Sequence, residues 1–374
     1  MDISEQTPYE VLDEIEVRVF QGSTGEFKAT ILLPDGESAT CSLPSPPHEI
    51  LIETTDPHAY GVMLFEWLFR EEIGKAFRGA QKFAEMSSYS QDFGGNMRLR
   101  LWLDPRSTRL HTLWWEALRD PAGARPVSTT MAFSRFMRVE TGRARPVAER
   151  PLHMLLVASN PTGMSQFDLA DINVHLEKTI LGQATSPLQD QLQVVNMLRP
   201  TLRAVYEAQS QNGYHLIHLL AHALPHPSEA GGIVMADEQG QGQVVPGGAV
   251  VEALTGGMKR PPHLAFLATP VTGEEQAGQT LVKLAPQLVD AGVQAAVAIQ
   301  AGISEGRLRE FCTRFYESLV RTGIIDVAMA TARSAIYETD NWEWAFPVLY
   351  TSTPDARLFQ ILPKHVRALA AFSF

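Results

Sequence analysis

Apolar and polar residues alternate in two short runs near the start of the chain. Ile15, Val17 and Val19 form one apolar set and Phe27, Ala29 and Ile31 the other, with a turn from Gly22 to Gly25 between them. A two-residue period puts each set on one face of a strand, so the pair predicts a β-hairpin, and Asp35-Gly36 suits a following turn. Ser42 to Pro47 contains Pro44, Pro46 and Pro47 and reads as a linker. From His58 to Glu85 the period lengthens, with Leu64, Leu68, Ile73, Phe77 and Phe83 recurring at the spacing of an amphipathic helix. Met97 to Leu103 returns to alternation and predicts a strand. Leu110 to Leu118 reads as a short helix carrying Trp114 and Trp115.

Arg143 to Pro151 is charged, contains proline and marks a subdomain boundary. Beyond it, apolar strand-like runs stand at Met154 to Ala158, Tyr214 to Leu220, Gly232 to Ala236, Leu264 to Ala268 and Ala295 to Ile299. Helical patterns lie between several of them, over Leu192 to Gln209, Thr280 to Ala291 and Gly306 to Arg321. Strands that are apolar throughout and joined by helices are buried on both faces, which predicts a mostly parallel α/β sheet. Trp344 to Tyr350 adds a late strand whose Pro347 points to an edge position, and Pro363 to Phe374 reads as a short terminal helix. The expected organisation is a β-rich region over 1–55, a helix-and-strand lead-in over 56–149, an α/β core over 150–355 and a tail over 356–374.

Composition narrows the partners. The chain has 374 residues and a formal net charge of −11, and an acidic surface repels phosphate backbones, so no nucleic-acid partner is expected. The one basic stretch, Arg135, Arg138, Arg143, Arg145 and Arg150, is interrupted by Glu140 and Glu149 and reads as a solvated linker. Two cysteines, Cys41 and Cys312, are too few for a disulfide scaffold and point to a reducing cytoplasm. No apolar run approaches the ~20 residues that span a bilayer, and the opening residues lack an apolar signal core, so no membrane partner is expected.

Sites in open α/β sheets form where strands end. One such end is Tyr214 to Ala223, where His218, His222 and the later His226 share strand parity and His222 falls just past the apolar run, where a general base belongs. A histidine merely satisfied by hydrogen bonds there is the competing reading. Read as a helix, His218 and His222 are four apart, but no Glu follows His218 as a metalloprotease needs, so no metal and no cofactor are expected. The second end is His263 to Gly273, an apolar strand running into Thr269, Pro270, Val271 and Thr272.

These residues resemble a CHAT domain, a bacterial branch of the caspase-like cysteine proteases related to separases. Leu113, Trp115, Glu116 and Leu118 are similar to the family's Trp-Glu motif. His218, Ala221, His222 and Ala223 take the places of His-x-x-Gly-His-Gly, and Ala268 to Thr272 those of Asn-Ala-Cys-x-Ser. Ala291-Gly292-Val293, Phe315-Tyr316, Ala328 to Arg333 and Pro347 to Tyr350 follow in the family's order, so the similarity runs from about Tyr60 to Tyr350. The resemblance implies a caspase-like, mostly parallel sheet flanked by helices, with an N-terminal β-rich and helical subdomain. It also implies His222 as base and a cysteine nucleophile at the place held here by Pro270.

Proline has no nucleophilic atom, and the glycines flanking the histidine are Ala221 and Ala223 here. The expectation is therefore a pseudoprotease with the degenerate dyad positions His222 and Pro270, and a binding groove lined by His218, His222, Thr269 and Thr272. It would act as a protein-binding scaffold or regulatory subunit in a bacterial signalling or defence assembly, with a partner on a separate, nearby-encoded polypeptide. The alternative is an active peptidase rebuilt on Thr269 or Thr272 with His222, although a threonine hydroxyl needs an activating base.

Overall fold

The computed structural model describes residues 12–47, 56–87, 97–140, 144–227, 231–256, 260–269 and 275–360. The chain forms two compact units, one of residues 1–137 with 329–349, the other of 138–328 with 350–374. The expected terminal helix over Pro363 to Phe374 lies outside the described residues.

In the first unit, β1 (Asp13–Gln21), β2 (Phe27–Leu32) and β3 (Ser38–Leu43) form an antiparallel meander. Gly25 and Gly36 hold positive φ in its two turns, a conformation that glycine adopts without a Cβ clash. The register Val17↔Ile31 and Val19↔Ala29 brings the two apolar sets onto one buried face. The meander extends further than its pattern implied: β3 runs through Leu43, and Cys41 and Leu43 are buried, so the linker begins at Pro44. The helical stretch is two helices, α1 (Pro57–Leu68) and α2 (Glu71–Ser87). Asp56 caps α1 by accepting from the His58 N–H, and the break falls at Glu71, whose φ is 48°. Leu64, Leu68, Ile73 and Phe77 are buried, but Phe83 is 65% exposed, because the new helix does not continue the old one's phase. β4 (Met97–Leu103) pairs parallel to β1, and β5 (Ala132–Phe136) parallel to β4. The segment read as a helix over Leu110 to Leu118 is a single turn at Thr108–His111 followed by a 3₁₀ turn at Trp115–Ala117. Parallel pairing of β1 with β4 places the β-rich region and the lead-in strands in the same unit, which also takes in residues 329–349.

The second unit holds β6 (Leu152–Ala158), α3 (Val174–Thr185), β7 (Leu192–Leu198), α4 (Leu202–Asn212) and β8 (Leu216–Leu220). After them come β9 (Ala223–Leu224), β10 (Gly232–Ala236), β11 (Gly242–Pro246), α5 (Gly247–Thr255), β12 (Leu264–Ala268), α6 (Glu275–Asp290), β13 (Ala295–Ile299) and α7 (Glu305–Thr322). Strands β13, β12, β8, β6 and β7 pair in that order, all parallel. Two assignments change. Leu192 to Leu198 is a strand, not the start of a helix: Arg199 takes φ 50° and Pro200 cannot continue a helix, so α4 begins only after Thr201 caps it. Gly232 to Ala236 is a strand, but it belongs to a small antiparallel sheet with β9 and β11.

Side-chain alternation sorts the core of the parallel sheet. His218 and Phe266 are opposite one another in register and share a face with Phe311, Phe315 and Tyr316 of α7. Ile217 and Leu219 point the other way, toward Leu202 and Val205 of α4 and Val250 and Leu254 of α5, around a small apolar cavity. The chain then continues through α8 (Ile325–Ala335) to β14 (Pro347–Thr351). β14 is buried along its length. Pro347 stands at its first position, where a strand tolerates the missing N–H, so the proline does not mark an exposed edge.

Candidate active site

Parallel strands β8 and β12 end together. Leu220 is opposite Ala268, and the Ala221 N–H donates to the Ala268 carbonyl at 3.1 Å. The main chain then leaves the parallel ladder, and the His222 carbonyl accepts from the Val234 N–H of β10 at 2.9 Å. His222 is only 5% exposed, and its Nε2 lies 2.8 Å from the Ala170 carbonyl oxygen. A carbonyl oxygen only accepts, so Nε2 carries the proton. Asn160 ties the same loop from its other end, exchanging two hydrogen bonds with the Ile172 backbone.

Thr269 follows β12, is buried, and its Oγ1 has no hydrogen-bond partner among the described residues. Pro270 and Thr272 lie outside the described residues. Continuing the strand alternation aligns Thr269 with Ala221, on the face of Ile217 and Leu219, whereas His222 continues the parity of His218 and Leu220.

His218, a groove candidate in the sequence, is 4% exposed and sits inside the sheet. Its ring stacks on Phe266 at 4.5 Å with 10° between planes, and its Nδ1 is 2.6 Å from the Tyr316 hydroxyl. Burial pulls its pKa down to about 3, and burial likewise raises that of Tyr316 well above the usual phenol range. Both groups are neutral core residues. His215 points the opposite way, its Nδ1 accepting from the His153 N–H at 3.1 Å, while His226 is half-buried. Because β8 is a strand, His218 and His222 do not share the helical i, i+4 spacing of a zinc pair. Among the described residues, no group of three or more His, Cys, Asp or Glu is placed to hold a metal ion.

Neither cysteine is exposed. Cys41 is buried in β3 and Cys312 in α7. Among the described residues, no helix is long and apolar enough to cross a membrane.

In the first unit, the Trp-Glu residues have a packing role. Glu116 is fully buried and receives two hydrogen bonds from Arg135, Nε to Oε1 at 3.0 Å and Nη2 to Oε2 at 2.6 Å. Arg135 therefore belongs to β5 and the core, not to a solvated basic stretch. Its place in the Ala132-Phe133-Ser134-Arg135-Phe136 run was the available signal. Arg333 is buried nearby, donates twice to the Pro347 carbonyl, and has its pKa pulled down to about 10 by burial. Sequence reading did not identify this cluster.

Two crystal structures of the Saccharomyces cerevisiae separase–securin complex match with TM-scores of 0.51. Identities are 10% and 11%, over 92% and 90% of this chain and 30% of that chain. The chain thus spans about a third of the length of its structural counterpart, and the likeness is one of fold. The complex of the pro- and mature domains of Porphyromonas gingivalis RgpB matches at TM-score 0.41 and 12% identity, over 75% of this chain and 70% of that one. No curated protein matches in sequence. The CHAT domain model matches residues 59–367, which takes in both the Trp-Glu residues and the paired strand ends of β8 and β12. With most of its length under that one model, the chain belongs to the CHAT domain family.

Proposed function

We propose that this CHAT chain is a pseudoprotease that works by binding protein. The observation that carries the reading is Pro270, next after Thr269 at the end of β12, in the place where the family presents its cysteine. Proline supplies neither an attacking atom nor a backbone N–H, so both the nucleophile and one donor for a developing oxyanion are missing from that residue. Loss of an essential nucleophile costs on the order of 10⁶ in rate. The Nε2–H bond to Ala170 fixes the His222 tautomer and leaves Nδ1 as the basic nitrogen, so the reading rests on the missing nucleophile and not on the histidine. With His218 in the core, the remaining groove candidates are His222 and Thr269, both buried at the strand ends, and Thr272. The separase fold in complex with securin supports a protein as partner, and the expected setting is a bacterial signalling or defence assembly. Two buried cysteines, neither in a disulfide, fit a reducing cytoplasm.

A rebuilt site has one observation in its favour, the unpartnered Thr269 Oγ1. Strand alternation carried one step past the ladder disfavours it, since it aligns Thr269 with Ala221 and not with His222. The deciding experiment incubates the protein with a diverse peptide library and reads products by mass spectrometry. No turnover above the buffer control is expected, for the parent or for His222→Ala. Cleavage by the parent that His222→Ala abolishes overturns the proposal.

A further inference from the structure

Strand β7 is paired on one side only. Among the described residues its partner is β6, and its other edge is open. Edge strands of this kind are normally blunted by charge, proline, a bulge or a covering element. β7 has none of these within its length: it reads Leu192-Gln193-Val194-Val195-Asn196-Met197-Leu198, without a charge or a proline. Toward its C-terminal end both of its faces reach solvent. Val195, on one face, is 46% exposed and Leu198, on the other, 48%.

The backbone fixes which groups look outward. Gln191 O accepts from Leu152 N–H, and Arg199 N–H donates to Ala158 O, so the odd-numbered residues direct their peptide groups at β6. Leu192, Val194, Asn196 and Leu198 then present theirs to the open edge. The geometry points to a second copy of this chain as the occupant, with β7 pairing antiparallel to β7 about a two-fold axis at Val195.

In that register Leu192 is opposite Leu198 and Val194 opposite Asn196, so every outward peptide group finds a partner. Val195 faces its own copy in a non-hydrogen-bonded pair. The flanking charges fit the same arrangement. Asp190 precedes the strand and Arg199 follows it, both exposed and neither in an ion pair among the described residues. Antiparallel self-pairing brings Asp190 of one copy near Arg199 of the other at both ends, whereas parallel pairing would set like beside like. An isologous contact of this form closes as a dimer and uses up the β7 edge of both copies.

Sedimentation velocity over a concentration series is expected to show a monomer–dimer equilibrium. Val195→Lys sets two ammonium groups face to face at the axis and abolishes the dimer. Asn196→Pro removes an outward donor that β6 does not use and also abolishes it. Asp190→Arg and Arg199→Asp each weaken the dimer, and the double exchange restores it. Register is read by disulfide trapping: Cα atoms of a non-hydrogen-bonded pair lie about 4.5 Å apart, within disulfide range. Mild oxidation should therefore cross-link Val195→Cys and leave Gln193→Cys, which faces Met197, uncoupled. With Val195 exposed, circular dichroism of V195K and V195C is expected to match the parent. A monomer at every concentration, or a dimer untouched by V195K, overturns the inference.

Discussion

Protonation of His218 offers the sharpest test of how the parallel sheet is held. Burial sets its pKa at about 3 in the folded chain, against about 6.5 for an unfolded imidazole. A histidine with a depressed folded pKa favours folding while it is neutral, above 6.5. As the pH falls from 6.5 toward 3, the unfolded chain takes up a proton that the folded chain refuses, so stability falls with it. The slope is about 1.4 kcal/mol per pH unit, which gives about 2 kcal/mol at pH 5 and about 3.5 kcal/mol at pH 4. His218→Gln removes this titration. Its amide still reaches the Tyr316 hydroxyl, and it gives up the stack on Phe266, a loss of about 1–2 kcal/mol at pH 7. Urea unfolding of parent and variant from pH 7 to 4 should therefore give curves that cross near pH 5, with the variant the more stable below it. Far-UV circular dichroism is the right probe, because all six tryptophans fall in the first unit and His218 in the second. A constant difference across that range would refute the assignment of His218 as a neutral core group.

Two further outcomes follow from packing. Glu116→Gln leaves the buried Arg135 and Arg333 without a compensating carboxylate and should cost about 3–5 kcal/mol. Tryptophan fluorescence during urea unfolding reads it, through Trp115 beside the pair, and a parent-like midpoint would contradict the burial of that charge. Gly323→Ala puts a Cβ against the Phe359 carbonyl at a residue with φ 71°, the left-handed end of α7. It should lower the melting temperature by several degrees, equivalent to about 1–3 kcal/mol, whereas an unchanged melting temperature would mean that the α7 end relaxes freely.

The sequence was most legible where one period held over a whole element. The runs Met97 to Leu103, Leu264 to Ala268 and Ala295 to Ile299 are strands to the residue. Legibility failed where two elements shared a pattern. Val194, Met197 and Leu198 join Leu202 and Val205 in an approximate 3.6-residue period, and only Pro200 betrays the corner between β7 and α4. Phe83 was misplaced for the same reason, since α1 and α2 are out of phase. Of the candidate site, the position of His222 just past β8 could be read from the end of an apolar run. The burial of His218 could not, because its lid is Tyr316, far along the chain. Arg135 was read from its charge when its apolar neighbours carried the information.

β8 and the turn after it also bear on how the candidate site is held. Their two same-parity histidines differ in what holds them. His218 lies within the ladder, stacked and hydrogen-bonded, so its replacement disturbs the core. His222 lies past the ladder, buried as well, and its Nε2 donates to the Ala170 carbonyl. On the pseudoprotease reading, His222 then needs another reason to be there, and its bond to Ala170 supplies one. That bond fastens the loop leading into α3 to the corner between β8 and β9, while Asn160 fastens the start of the same loop. His222 acts in this reading as a clasp on the rim of the site, and its loss should free that loop while leaving β8 and β12 paired.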